Sequence, residues 1–305
     1  MNYLKYFGLK EDPFKITPDY NYFFPSLTHG VAETLLHYVV ENSEGFGVII
    51  GEPGTGKTTI LKRFLSKLPE NYIYALILSP RLAPEEFLKV LLDEFGVSYD
   101  KNISKNEILK IIKRFLEKKV LEGKKVLIIV DEAQNLPIET LEELRLLSNL
   151  ETEKEKLIQI ILFGQPELEE KLNDERLRQL NQRILNKVSL SPLSEKEIKG
   201  YIYHRLRVAG NGDIEIYPEA IRRIYQYTHG YPRLVNIITS RALMVAFMQN
   251  SKAITPLHVD SAHGTFYQTK VDGRDKFLSL YYFLLFFAII FIFLYIVIKL
   301  GFINF

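Results

Sequence analysis

Residues 51–58 read GEPGTGKT, the G-x-x-x-x-G-K-[ST] spacing of a phosphate-binding loop. The run before it, FGVIIG, is apolar up to Gly51, and residues 58–68 carry apolar positions at helical spacing. The order is strand, glycine-rich turn, helix. That context supplies the chemistry. Small residues let successive backbone N–H groups curl around phosphate oxygens at the positive end of a helix, Lys57 adds a mobile cation, and Thr58 offers a hydroxyl to magnesium. Gly51, Glu52, Pro53, Gly54, Thr55 and Gly56, then Lys57, Thr58 and Thr59, form the expected nucleotide-binding stretch.

A matching half follows in VLIIVDEAQ. Asp131 leaves the C-terminal end of a buried strand, where it can hold magnesium through water, and Glu132 can orient or deprotonate an attacking water. The strand expected over Ile73–Leu78 falls between the two motifs in the chain, and the reading places it between them in the sheet. In FGQPEL, Gln165 stands at a strand end near Glu132. Contact with a γ-phosphate or lytic water, and a plain turn before Pro166, both fit it. Arg176, Arg178 and Arg183 lie in DERLRQLNQRI. One of them can reach a neighbouring subunit's nucleotide, and Arg183, nearest the last strand, is the choice; a helix-surface arginine would look the same. In HGYPRLVN, Arg233 opens a helix and suits a γ-phosphate sensor that closes a lid; a solvated arginine would look similar.

Apolar runs at 73–78, 126–130 and 157–163 and the short NKVSL alternate with helical stretches. Alternation of this kind means a parallel sheet covered on both faces, with five strands. Past Pro192 only helical patterns remain, opened by Ser194 and Glu197 at capping-box spacing. The expected organisation is an α/β domain over 47–192, a helical lid over 193–268 and a polar tether, TKVDGRDK, over 269–276. Residues 277–298 are uncharged and mostly Phe, Leu, Ile, Val or Tyr. At ~1.5 Å per helical residue they would extend about 33 Å, close to a bilayer's hydrocarbon core. They read as one transmembrane helix with a short tail, 299–305.

With 47% hydrophobic and 25% charged residues among 305, the composition is globular and not disordered. A formal charge of +2 does not point to nucleic acid, and no basic cluster with interleaved aromatics appears. Lacking cysteine, the chain can form neither disulfides nor thiolate metal sites. The opening MNYLKYFGLKEDPF shows no secretory signal.

From Tyr6 to about Ala262 the chain resembles the AAA+ ATPases of the general secretion pathway protein A (ExeA-like) family. FGLKEDPF, FPSLTHGVAETL, the phosphate loop, VDEAQNL, FGQPEL, LNQRI, PLSEKEI, HRLRVAG and HGYPRLVN carry the resemblance. It implies an AAA+ α/β fold with a helical lid, ATP and Mg2+ as ligands, and assembly as a ring or dimer with an arginine acting in trans. It also implies that residues 1–46, around Phe14, Tyr22 and Phe24, contribute to the nucleotide pocket; by residue type alone those aromatics are core. The function expected is an ATPase anchored in the inner membrane, its body facing the cytoplasm, that assists an envelope machine: a secretin, a pilus or a polysaccharide exporter. Lys270, Arg274 and Lys276 before the apolar run, against Lys299 after it, agree with that orientation. The alternatives are a DNA-associated ATPase of the transposition type and a nucleotide switch with little turnover.

Overall fold

The computed structural model describes residues 3–264, except 79–80, 101, 152–155 and 211–213. Five apolar runs form one sheet: β1 (Phe46–Gly51), β2 (Tyr72–Ile77), β3 (Lys125–Val130), β4 (Gln159–Gly164) and β5 (Asn186–Leu190). Their spatial order is β2-β3-β4-β1-β5, and every neighbouring pair is parallel. The helices are α1 (Tyr3–Phe7), α2 (Leu27–Glu41), α3 (Lys57–Ser66), α4 (Pro84–Glu94), α5 (Lys105–Leu121), α6 (Ile138–Leu147), α7 (Pro166–Leu172), α8 (Arg178–Asn181), α9 (Glu195–Val208), α10 (Pro218–Thr228) and α11 (Pro232–Met248). A further helix runs over 256–264, and β6 (Glu215–Ile216) pairs with β7 (Ala253–Ile254).

The sheet is covered on both faces because successive strand residues point to opposite sides. Phe46, Val48 and Ile50 join a core with α4, α5, α6 and α7, whereas Ile49 joins Leu36 of α2 and Ile60 and Phe64 of α3 on the other face. Fully burying a side chain such as Phe64 stabilises by roughly 1.5–3 kcal/mol. That packing holds the start of α3 against the end of β1.

A third core belongs to the helices after β5. Ile198, Ile202 and Leu206 of α9, Ile224 of α10 and Val235 of α11 pack together, and Phe7, Leu9, Phe14 and Tyr22 from the start of the chain are buried among them, with Phe24 at the margin. Helix α9 opens on a capping box in which the Ser194 amide and hydroxyl both donate to Glu197 Oε2, at 2.9 and 2.7 Å. These helices are joined to the end of the sheet where Leu193 N–H donates to Gly230 O at 2.9 Å. Gly230 has φ +80°, and a Cβ there would lie 1.9 Å from Leu193 O, so no other residue fits.

Two expectations are corrected. One strand does separate the phosphate-loop strand from the acid-bearing strand, but it is β4; the strand over 73–78 lies at the sheet edge beside β3. Chain order does not set spatial order when every connection is a helical crossover. The fold class also included a transmembrane helix, 277–298, which lies outside the described residues. Among the described residues no helix is long and apolar enough to cross a membrane. The longest, α5 and α11, have 17 residues each and carry charged side chains; such a helix reaches only about 26 Å. The fold class given by the structure is a P-loop α/β fold with a five-stranded parallel sheet followed by a helical region, with no spanning helix among the described residues.

Candidate active site

The C-terminal ends of β1, β3 and β4 lie side by side, the usual place for a ligand on an open parallel sheet. At the end of β1 the Thr55 hydroxyl and amide both donate to Glu52 O, at 2.7 and 3.2 Å, closing the turn. Gly56 then takes φ +105° and caps α3. Lys57 is buried, its ammonium donating to Gly51 O at 2.6 Å and to Glu52 O at 3.3 Å. Burial pulls its pKa down, against the charges of Glu132, Asp131, Glu52 and Glu167.

Asp131 follows β3 and is buried. Burial raises its carboxyl, helped by the Glu132 charge and opposed by the Glu132 amide, which donates to Asp131 Oδ1 at 2.9 Å, and by Lys57. Glu132 adopts left-handed backbone, φ +53°. Burial alone would raise its carboxyl, but hydrogen bonds from Gln165 and Gln134, with the Lys57 charge, outweigh burial and hold it below the ordinary carboxylate value. Both side-chain amides donate to the same oxygen, Glu132 Oε2, Gln134 at 2.6 Å and Gln165 at 2.7 Å. The Gln165 backbone N–H also donates to Gln134 Oε1 at 3.1 Å. Gln165 is thus the residue before α7 and, at once, a holder of the acid.

A cleft of about 530 Å³ opens above these groups. Pro53, Gly54, Gly56, Lys57, Thr58 and Thr59 line one wall, with Glu132. Gly51 and Glu52 supply the carbonyls that accept from Lys57, and the Thr55 hydroxyl closes the turn onto Glu52 O. Helix α11 supplies Arg233 and Asn236, and Lys15 to Asp19 from near the start of the chain complete the rim. Arg233 reaches the loop through its backbone, its N–H donating to Gly54 O at 3.3 Å. Arg183 does not line this cleft. It is exposed, with its Nη1 donating to Ser148 Oγ at 3.2 Å. Arg176 is bound to Asp174, Nε at 2.9 Å and Nη2 at 2.8 Å.

Three residues of the site escaped the sequence reading. Gln134 had a signal, lying two residues past Glu132 in a strand-end turn. Arg205 is buried beneath the cleft, with Nε donating to Pro13 O at 2.5 Å, Nη1 to Tyr201 OH at 3.2 Å, and its guanidinium 4.6 Å from the Tyr22 ring centre. His29 is buried behind the loop, its Nε2 2.8 Å from Thr55 O. The last two lie in FPSLTHGVAETL and HRLRVAG, but nothing in those stretches marks either as part of the site.

Residues 40–172 match a family model described as an AAA domain. Over 252 residues, 83% of this chain, the sequence is 41% identical to general secretion pathway protein A of Aeromonas hydrophila, covering 46% of that protein. It is 34% identical over 106 residues to the ATP-dependent target DNA activator B of Escherichia phage Mu, 34% of this chain and 31% of that one. In fold it resembles the ORC2 protein of Aeropyrum pernix, solved in ADPNP–ADP complexes, with TM-score 0.62 and 18% identity over 84% of this chain and 71% of that one.

A phosphate loop and an acid pair separated by one strand, together with the AAA-domain match, define an AAA+ P-loop ATPase. The chain belongs to the AAA+ ATPases of the general secretion pathway protein A type. It spans about half the length, 46%, of the secretion relative.

Proposed function

We propose that the chain spends ATP hydrolysis on assembling an envelope machine, a secretin, pilus or polysaccharide exporter, by working with that machine's inner-membrane components. The observation that carries this reading is the complete loop-and-acid geometry in a chain 41% identical over 252 residues to a general secretion pathway protein. On this reading residues 47–192 are the catalytic domain, 193–268 the lid, and 1–46 a segment whose residues Lys15 to Asp19 line the cleft.

The phosphates occupy the loop, where Gly54, Gly56, Lys57, Thr58 and Thr59 face the cleft. Lys57 exchanges its bonds to Gly51 O and Glu52 O for phosphate oxygens, a change that leaves the ammonium in place. Glu132 accepts the proton of the attacking water as the bond to the γ-phosphorus forms and ADP leaves. Its Oε2 is occupied by two amides, so Oε1 is the oxygen offered to that water. Thr58 and Asp131 provide a hydroxyl and a carboxylate that fit a small hard cation bound mainly by phosphate and water. Mg2+ there would neutralise phosphate charge. Arg233 senses the γ-phosphate from the lid, and Arg183 serves the site of a neighbouring copy in a ring or dimer.

Glu132→Gln tests this. The variant should bind ATP as tightly as the wild type while turnover falls by about 100-fold or more, and a host carrying it should fail to assemble the envelope complex. Turnover at the wild-type rate contradicts the role given to Glu132; normal assembly contradicts the client. The 34% identity to the phage Mu activator favours a second reading, a DNA-associated ATPase. Tight duplex binding at low salt that falls steeply as salt rises would favour it over the first.

A further inference from the structure

The back of the phosphate loop is held by one histidine. His29, in the first turns of α2, is 6% exposed, and its two ring nitrogens have different partners: Nε2 lies 2.8 Å from Thr55 O and Nδ1 2.6 Å from Ser26 Oγ. A carbonyl can only accept, so Nε2 carries the hydrogen; Nδ1 of the neutral ring then accepts from the Ser26 hydroxyl. Burial, which disfavours the charged ring, keeps it in this form. The fit is close. A Cβ on Gly56 would lie 2.8 Å from His29 Nε2, so Gly56 is required by this contact as well as by its φ of +105°.

In a planar trans peptide the C=O and the following N–H point in opposite directions. Drawing Thr55 C=O back toward His29 therefore turns Gly56 N–H forward into the cleft. The same end of α2 is tied to the lid: Leu27 N–H donates to Glu197 Oε1 at 3.0 Å, and Glu197 Oε2 closes the capping box of α9. Glu197 thus joins the first helix of the lid to the residue beside Ser26.

We propose that His29 is a positioning residue that aims the Gly56 amide at the bound phosphates, and that the Glu197–Leu27 bond makes this aim depend on where the lid stands. The proposal rests on ATP occupying the phosphate loop. It gives the lid a second, rear route to the loop, besides the Arg233 to Gly54 contact at its front.

The test uses the full chain with Mg2+, a fluorescent ATP analogue for affinity and steady-state hydrolysis for KM and kcat. His29→Gln keeps a donor near the Nε2 position, whereas His29→Asn keeps only an acceptor near Nδ1. The Asn variant should lose about tenfold in affinity, the scale of one hydrogen bond, with KM rising in proportion and kcat changing less than about threefold. The Gln variant should stay within about threefold of the wild type. Glu197→Ala combined with His29→Asn should lose less than the product of the two single losses, because both act through one route. Wild-type affinity in the Asn variant, or equal losses in Asn and Gln variants of unchanged Tm, overturns the aiming role; multiplicative losses overturn the lid link. If the Asn variant does not fold, Ser26→Ala takes its place, with a smaller loss expected and no loss overturning the proposal. Failure of the wild type itself to bind the analogue would instead contradict occupancy of the loop.

Discussion

The side-chain amide of Gln165 donates to Oε2 of Glu132 at 2.7 Å, across the ends of two adjacent strands, β4 and β3. With Gln134 on the same oxygen, it fixes the carboxylate in direction and keeps it ionised. Burial works against ionisation, and the two amides with Lys57 outweigh it. Gln165→Ala removes one of the opposing contributions, so the carboxyl moves up. Activity that needs the ionised form should then be lost at a higher pH on the acid side than in the wild type. Turnover at neutral pH should fall by about tenfold from the loss of one oriented hydrogen bond. A pH–rate profile of both proteins checks the direction of the shift.

Arg183 has a partner in Ser148 and does not line its own cleft. If it acts on a neighbouring copy, wild-type turnover per molecule should rise with protein concentration. Arg183→Ala should flatten that rise while leaving ATP affinity unchanged, with a loss of about 10³-fold at high concentration. Mixing the Arg183→Ala and Glu132→Gln proteins should restore part of the activity, since some interfaces then combine an intact acid with an intact arginine. Turnover per molecule that is independent of concentration contradicts the trans role.

Arg205 binds the N-terminal segment to the lid through Pro13 O and is enclosed by Tyr22 and Tyr201. Arg205→Ala leaves Pro13 O without this donor and opens a gap between two rings. The expected cost is about 2–4 kcal/mol in urea unfolding, from one lost charged hydrogen bond and the lost ring contacts.

What the sequence made legible was local. Gly51 to Thr58 and the Asp131–Glu132 pair are recognisable because each motif and the strand before it are contiguous in the chain. The pairing of strands was not, since helical crossovers let β4 enter between β1 and β3 while β2 goes to the edge. His29 and Arg205 were missed for the same reason: the carbonyls they bind, Thr55 O and Pro13 O, are 26 and 192 residues away. A buried histidine or arginine has no sequence mark that separates it from an exposed one. Gln165 admitted two readings because a turn residue and an acid-holding amide have the same local pattern, and only the 33-residue contact to Glu132 distinguishes them.

The most direct measurement of the central claim is ATP affinity and turnover of Lys57→Ala beside the wild type. Lys57 is the buried cation at the mouth of the Gly51–Thr58 loop, and its loss should weaken ATP binding by at least about 100-fold, on the scale of a desolvated charge-assisted contact, and remove detectable hydrolysis. A correctly folded Lys57→Ala protein that binds and hydrolyses ATP like the wild type would contradict the account.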